Sequence, residues 1–82
     1  MINQTLADLP VFSWGYIDKL NVDGEMRRRL LDLGFSGGSS VIPLFKSPLG
    51  DPTAYFVMGS IIALRHEDAD KIYIMGGKEE EI

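Results

Sequence analysis

The sequence predicts a mainly β fold: a small SH3-like antiparallel barrel of five strands, with one α-helix after the first strand and a short N-terminal helical turn. Three observations predict it. Short runs rich in β-branched and aromatic residues, at 16–20, 41–46, 53–58, 61–65 and 72–75, are separated by turn-forming residues. One amphipathic stretch, Met26 to Leu33, has helical spacing and stops at Gly34. The chain has only 82 residues, so an antiparallel sheet can bury an apolar face and remove its edges only by curling onto itself.

Thr5-Leu6-Ala7-Asp8 has capping-box spacing, with Asp in place of the usual Glu. It predicts a single helical turn, ended by Pro10, with Leu6 and Leu9 packing inward. Tyr16 to Leu20 reads as the first strand. Asn21 to Gly24 is a turn, and Asp23 is a candidate N-cap for the helix. On that helix Met26, Leu30 and Leu33 share one face, Arg28 lies opposite, and Arg27 and Arg29 flank the stripe. Gly34 suits the left-handed position just past a helix end. Val41 to Lys46 is the second strand, edge-like at Pro43, which has no amide to give a ladder. Pro48-Leu49-Gly50-Asp51-Pro52 is a turn. Thr53 to Met58 is the third strand, Gly59-Ser60 a two-residue hairpin turn, and Ile61 to Arg65 the fourth. His66 to Asp70 is a polar connection with one helical turn, and Ile72 to Met75 is the fifth strand. Residues 1–76 thus form one domain, and 77–82 an acidic tail.

The expected core is Leu9, Ile17, Leu20, Met26, Leu30, Leu33, Val41, Leu44, Tyr55, Val57, Ile62, Leu64, Ala69, Ile72 and Ile74. Phe12, Trp14, Phe35, Phe45, Phe56 and Met58 are left without an evident buried place. A cluster of them on one face would mark a protein-binding patch.

Composition narrows the function. There is no cysteine, which excludes disulfides and thiolate metal sites and suits a cytoplasmic location. No apolar run approaches the roughly 20 residues that span a bilayer, so direct membrane insertion is not expected. The N-terminus lacks the pattern of a signal peptide. Net charge is −4, whereas nucleic-acid binders carry a basic excess that neutralises phosphates. No nucleic-acid partner is expected.

Chemistry is sparse. There is one histidine, His66, and no nucleophile elbow, so no catalytic residues are assigned and the chain is not expected to be an enzyme. Gly34-Phe35-Ser36-Gly37-Gly38-Ser39-Ser40 is glycine-rich but follows a helix and precedes a strand, the reverse of a phosphate loop. His66 and Asp70 would share a face of one helical turn. They are weak candidates for a divalent metal, because a dedicated site wants three or four ligands; a solvated acidic turn is the plainer reading. No cofactor is implied. Arg27, Arg28 and Arg29 either answer the helix dipole and keep the outer face soluble, or meet an acidic partner. Arg27 and Arg28 are the candidates for contact, with Phe12, Trp14, Phe56 and Met58.

Met26-Arg27-Arg28-Arg29-Leu30-Leu31-Asp32-Leu33-Gly34-Phe35, with Pro48-Leu49-Gly50-Asp51-Pro52, Tyr55, Val57, Gly59, Ile62-Ala63-Leu64-Arg65, Ala69, Ile72 and Ile74, resembles the FeoA family of ferrous iron transport proteins. Leu6, Leu9, Gly15 and Ile17 agree with it, and the resemblance spans about residues 5–75. Val11-Phe12 stands where the family usually has Pro-Gly, and Ser36-Gly37-Gly38 where it has Thr-Pro-Gly. The first departure makes the N-terminal loop more hydrophobic.

The resemblance implies an SH3-like barrel with helical additions and a cytosolic accessory role in bacterial ferrous iron uptake. The implied partner is the large membrane ferrous iron transporter FeoB, which carries a cytosolic GTP-binding domain. An alternative is a metal-binding or metal-sensing domain related to the C-terminal domain of iron-dependent repressors. A third reading is a module for proline-rich segments, which needs Trp14, Tyr16 and Tyr55 to converge on an exposed groove. Edge strands and exposed aromatics also leave a homodimer open.

Overall fold

A computed structural model describes residues 4–75. Its elements run β1 (Gln4–Thr5), a 3₁₀ turn (Leu6–Asp8), β2 (Gly15–Leu20), α1 (Gly24–Asp32), β3 (Ser40–Lys46), β4 (Thr53–Val57), β5 (Ser60–Leu64), α2 (His66–Ala69) and β6 (Ile72–Met75). The expected tail at 77–82 lies outside the described residues. No described helix is long and apolar enough to cross a membrane.

The fold is mainly β, in one antiparallel sheet of six strands ordered β1-β6-β2-β3-β4-β5. The expected count was five. The extra strand, β1, is only two residues and pairs Gln4 with Ile74 and Thr5 with Tyr73. Nothing in so short a polar segment signals a strand; its partner supplies the ladder. The 3₁₀ turn follows as expected, with Asp8 Oδ2 accepting from the Thr5 amide at 3.4 Å. Asp23 stands at the N-cap of α1 in extended conformation, but its side chain makes no capping bond.

One core cluster holds the fold. It draws Leu6 and Leu9 from one end of the sheet order and Leu64 from β5 at the other, so the sheet curls around a shared interior. Each fully buried large aliphatic or aromatic side chain there contributes roughly 1.5–3 kcal/mol. Leu44 is a correction. Pro43 pairs with Tyr55 and Phe45 with Ala54, which leaves Leu44 as the extra residue of a bulge, and it is only partly buried. Pro43 takes a buried place. Phe35, left unplaced in sequence, is fully buried at 0% exposure.

The reason lies at the end of α1. The Gly34 amide donates to the Leu31 carbonyl at 3.1 Å and the Phe35 amide to the Leu30 carbonyl at 3.0 Å. That pair of bonds is a Schellman motif, which brings the residue after the glycine against the last helical turn. Gly34 has φ +109, and a Cβ there would stand 2.8 Å from Met58 Cγ. Met58 lies just past the end of β4 and is no strand residue. Val57 pairs with Ser60, so Met58-Gly59 form the two-residue hairpin turn, one position earlier than expected. Both have positive φ, +48 and +80, the type I′ geometry that matches strand twist.

Candidate functional site

Cross-strand partners of an antiparallel ladder point to the same face. Val41 and Val57 pair and face the core, as do Pro43, Tyr55 and Ile62 in the next inward row. The alternate positions face outward. One outer row is Ile42, Phe56 and Ile61; the next is Phe45, Ala54 and Ala63. Continuing the Gly15–Val41 register sets Trp14 level with Ile42. The Phe12 amide donates to the Pro43 carbonyl at 2.8 Å and fixes the preceding loop on this flank. That bond lies beyond the end of β2, so the missing Pro43 amide leaves no ladder partner unmet.

Ile42 and Ala54 are buried yet stand outside the core cluster. Their larger outer-face neighbours shield them. Trp14, Phe45, Phe56 and Ile61 remain exposed around them, and neither row carries a charge. With aromatic areas of about 150–250 Å² each, the face presents on the order of 500 Å² of apolar surface, the upper range for an ordinary monomer. The other half of the outer face differs. There the Lys19 Nζ sits 5.8 Å from the Tyr73 ring centroid.

Phe12 adds a second signal. It is 71% exposed and holds φ +69. A non-glycine residue in the left-handed region costs about 1–2 kcal/mol, and the exposed ring recovers little of it by burial.

A separate hollow lies between α1 and β5. This groove of about 340 Å³ is walled by Met26, Arg29, Leu30 and Leu33 on the helix and by Ile62 to Arg65 on the strand side, with Asp68 at its end. A shallower depression of about 480 Å³ lies along α1, lined by Glu25, Met26, Arg28, Arg29 and Asp32.

The six predicted contact residues do not form one surface. Trp14 and Phe56 share the outer face, with Phe12 on its flank. Met58 sits at the hairpin tip over Gly34. Arg27 and Arg28 are exposed on α1, and only Arg28 lines a hollow. The groove instead takes Arg29, which was not among the contact candidates, and Arg65, named in sequence only within the family resemblance. Tyr55 points inward at 3% exposure, so Trp14, Tyr16 and Tyr55 form no common groove. Burial, reinforced by nearby Asp51 and offset in part by a Thr53 hydrogen bond, raises the Tyr55 phenol above its usual 10.0.

The two metal candidates lie on one helical turn, where the Asp70 amide donates to the His66 carbonyl at 2.9 Å. The His66 amide donates to Asp51 Oδ1 at 2.7 Å, and Asp70 Oδ1 accepts from Thr5 Oγ1 at 3.0 Å. Among the described residues no three or more His, Asp or Glu side chains are placed to hold a metal ion together.

Residues 4–75 match the family model of the FeoA domain. A Porphyromonas gingivalis Fe(2+) transport protein A/Fe(2+) transporter FeoB fusion protein is 33% identical over 69 residues, which is 84% of this chain and 8% of that protein. The chain therefore spans only a small part of that relative. The solution structure of Chlorobium tepidum FeoA matches with a TM-score of 0.81 at 29% identity, covering 93% of this chain and 74% of the other. Stenotrophomonas maltophilia FeoA complexed with zinc, described as a procaryotic SH3 domain protein, matches with a TM-score of 0.77 at 28% identity, covering 87% and 88%.

Proposed function

The chain belongs to the FeoA family, and we propose that it serves ferrous iron uptake as a non-catalytic cytosolic accessory domain that binds a FeoB-type membrane transporter. The fusion relative carries this reading. A domain covalently joined to its transporter in one organism works within reach of that transporter, and the same domain on a separate chain needs a surface to hold it there. The outer face of β3–β5 with Trp14 suits that need: it is apolar, uncharged and built on rigid strands. Bulky aromatics around a shielded aliphatic floor are the usual anchors of such contacts. The non-catalytic part of this proposal is supported by the single, exposed histidine and the lack of a nucleophile elbow in the sequence.

The test is retention by the immobilised cytosolic GTP-binding region of the cognate transporter, in reducing buffer with ferrous iron and with GTP or GDP. The wild-type chain should be retained, and Trp14→Ala and Phe56→Asp should be lost while keeping a folded spectrum. Absence of wild-type binding under every one of these conditions would overturn the reading.

A further inference from the structure

We propose that the free edge of β5, with the groove between it and α1, is a docking site for an extended acidic segment of a partner, which adds to the sheet as a further strand. The site is distinct from the outer face assigned above to the transporter, so either assignment can fail without the other.

The backbone pattern comes first. The Met58-Gly59 turn makes Val57 and Ser60 a hydrogen-bonded pair. Hydrogen-bonded and non-bonded pairs alternate along an antiparallel ladder. Ile62 and Leu64 therefore bond back to β4, and the peptide groups of Ile61 and Ala63 point to the open side. Neither makes any other backbone hydrogen bond among the described residues. Among the described strands, β5 is last in the sheet order.

This edge also lacks the usual protection. Free edges are normally blunted by shortness, lysine, proline or a bulge. The opposite edge, β1, is two residues long among those described. β5 has five, Ser60-Ile61-Ile62-Ala63-Leu64, with no charge, no proline and an unbroken register against β4. An unprotected edge beside a concave apolar wall is the arrangement that takes an added strand, where main-chain bonds give affinity and side-chain pockets give specificity.

Charge chooses the occupant. Arg29 and Arg65 line the groove against a single acid, Asp68. The side-chain hydrogen bonds of the described residues involve neither arginine. The groove lining, two arginines against one aspartate, thus carries one net positive charge in a chain of net charge −4. A second copy pairing through β5 would bring the uncharged strand Ser60–Leu64 with Arg65 and Asp68 beyond its end, and no carboxylate on the strand itself, so it is a poorer fit than an acidic strand. A basic segment is repelled.

The probe is a capped hexapeptide of alternating valine and glutamate, with a valine–lysine peptide as control, titrated into the full chain and followed by amide NMR. The expected result is saturable binding of the glutamate peptide alone, with exchange of the Ile61 and Ala63 amides slowed at least about tenfold. Arg29→Glu with Arg65→Glu should weaken binding at least about tenfold. Ala63→Pro removes an edge donor that the β4 ladder does not use, and it should abolish binding. If that variant fails to fold, the arginine pair still decides. Equal binding of both peptides, shifts confined to Trp14 and Phe56, or no binding up to about 1 mM overturns the proposal.

Discussion

The outer face and the α1–β5 groove meet along a single strand, yet they are built by different alternations. The face comes from side-chain alternation: Ile42, Phe56 and Ile61 emerge together because the register pairs them. The groove comes from backbone alternation, which turns the Ile61 and Ala63 peptide groups to the open side. The same two residues thus give side chains to one surface and amides to the other. The face needs only the sheet. The groove also needs α1 at the right distance, and that rests on the close approach of Gly34 and Met58. One surface is uncharged and the other is flanked by arginines, so they suit different partners.

The largest expected effect separates them by moving α1. Gly34→Val adds a Cβ at a position with φ +109 and 2.8 Å from Met58 Cγ. The left-handed penalty of about 1–2 kcal/mol and an overpacking cost of about 1–3 kcal/mol should together remove about 2–5 kcal/mol of stability, read by denaturant unfolding. Below the melting transition the variant should still bind the transporter region through the outer face and should lose the acidic peptide. Parallel loss of both activities would show that the surfaces are not independent.

Next comes the converse. Phe56→Asp places a charge between Ile42 and Ile61. Affinity for the transporter region should fall at least about tenfold, about 1.4 kcal/mol. Acidic-peptide binding should hold within about twofold of wild type. A loss of peptide binding instead would mean that the face supports the groove.

What was legible in the sequence follows from which signals are local. The helix, its stop at Gly34 and the strands at β2 to β6 are local signals, and the structure keeps them within a residue or so. β1 was invisible because two polar residues become a strand only through β6. Phe35 was left unplaced although a signal existed: an apolar residue directly after a helix-ending glycine is the packing partner of a Schellman motif. Leu44 was misread because a bulge shifts the alternation after Pro43. Trp14 and Phe56 were nominated from aromatic surplus alone, and register brings them onto one face. Arg65 and the free amides of β5 were not nominated, because strand order is a long-range property that no window of sequence contains.

A smaller effect concerns Phe12. Glycine removes the backbone penalty at φ +69 and exposes no core. Phe12→Gly should therefore raise stability by about 1 kcal/mol, seen as a higher denaturation midpoint at unchanged slope. Binding to the transporter region should weaken several-fold if the ring extends the outer face, with the acidic peptide unaffected. A drop in stability would instead show the ring packed on the folded body, and would shrink the outer face to the strands alone.

The smallest effect is absent at neutral pH and touches both surfaces from within. Tyr55 lies on β4 between Pro43 and Ile62, directly beneath the strand pair that carries the face and the edge. Burial chiefly raises its phenol above 10.0, so the folded state holds the proton more tightly than the unfolded chain. Its contribution is fully present below pH 10, the unfolded value, and is lost as pH climbs through the raised folded value, because the unfolded state then binds fewer protons. Unfolding midpoints should accordingly decline above pH 10, and Tyr55→Phe should flatten that decline. Because the ring supports β4 and β5 alike, alkaline loosening should weaken the transporter contact and the strand-docking site together, the one perturbation that does not tell them apart.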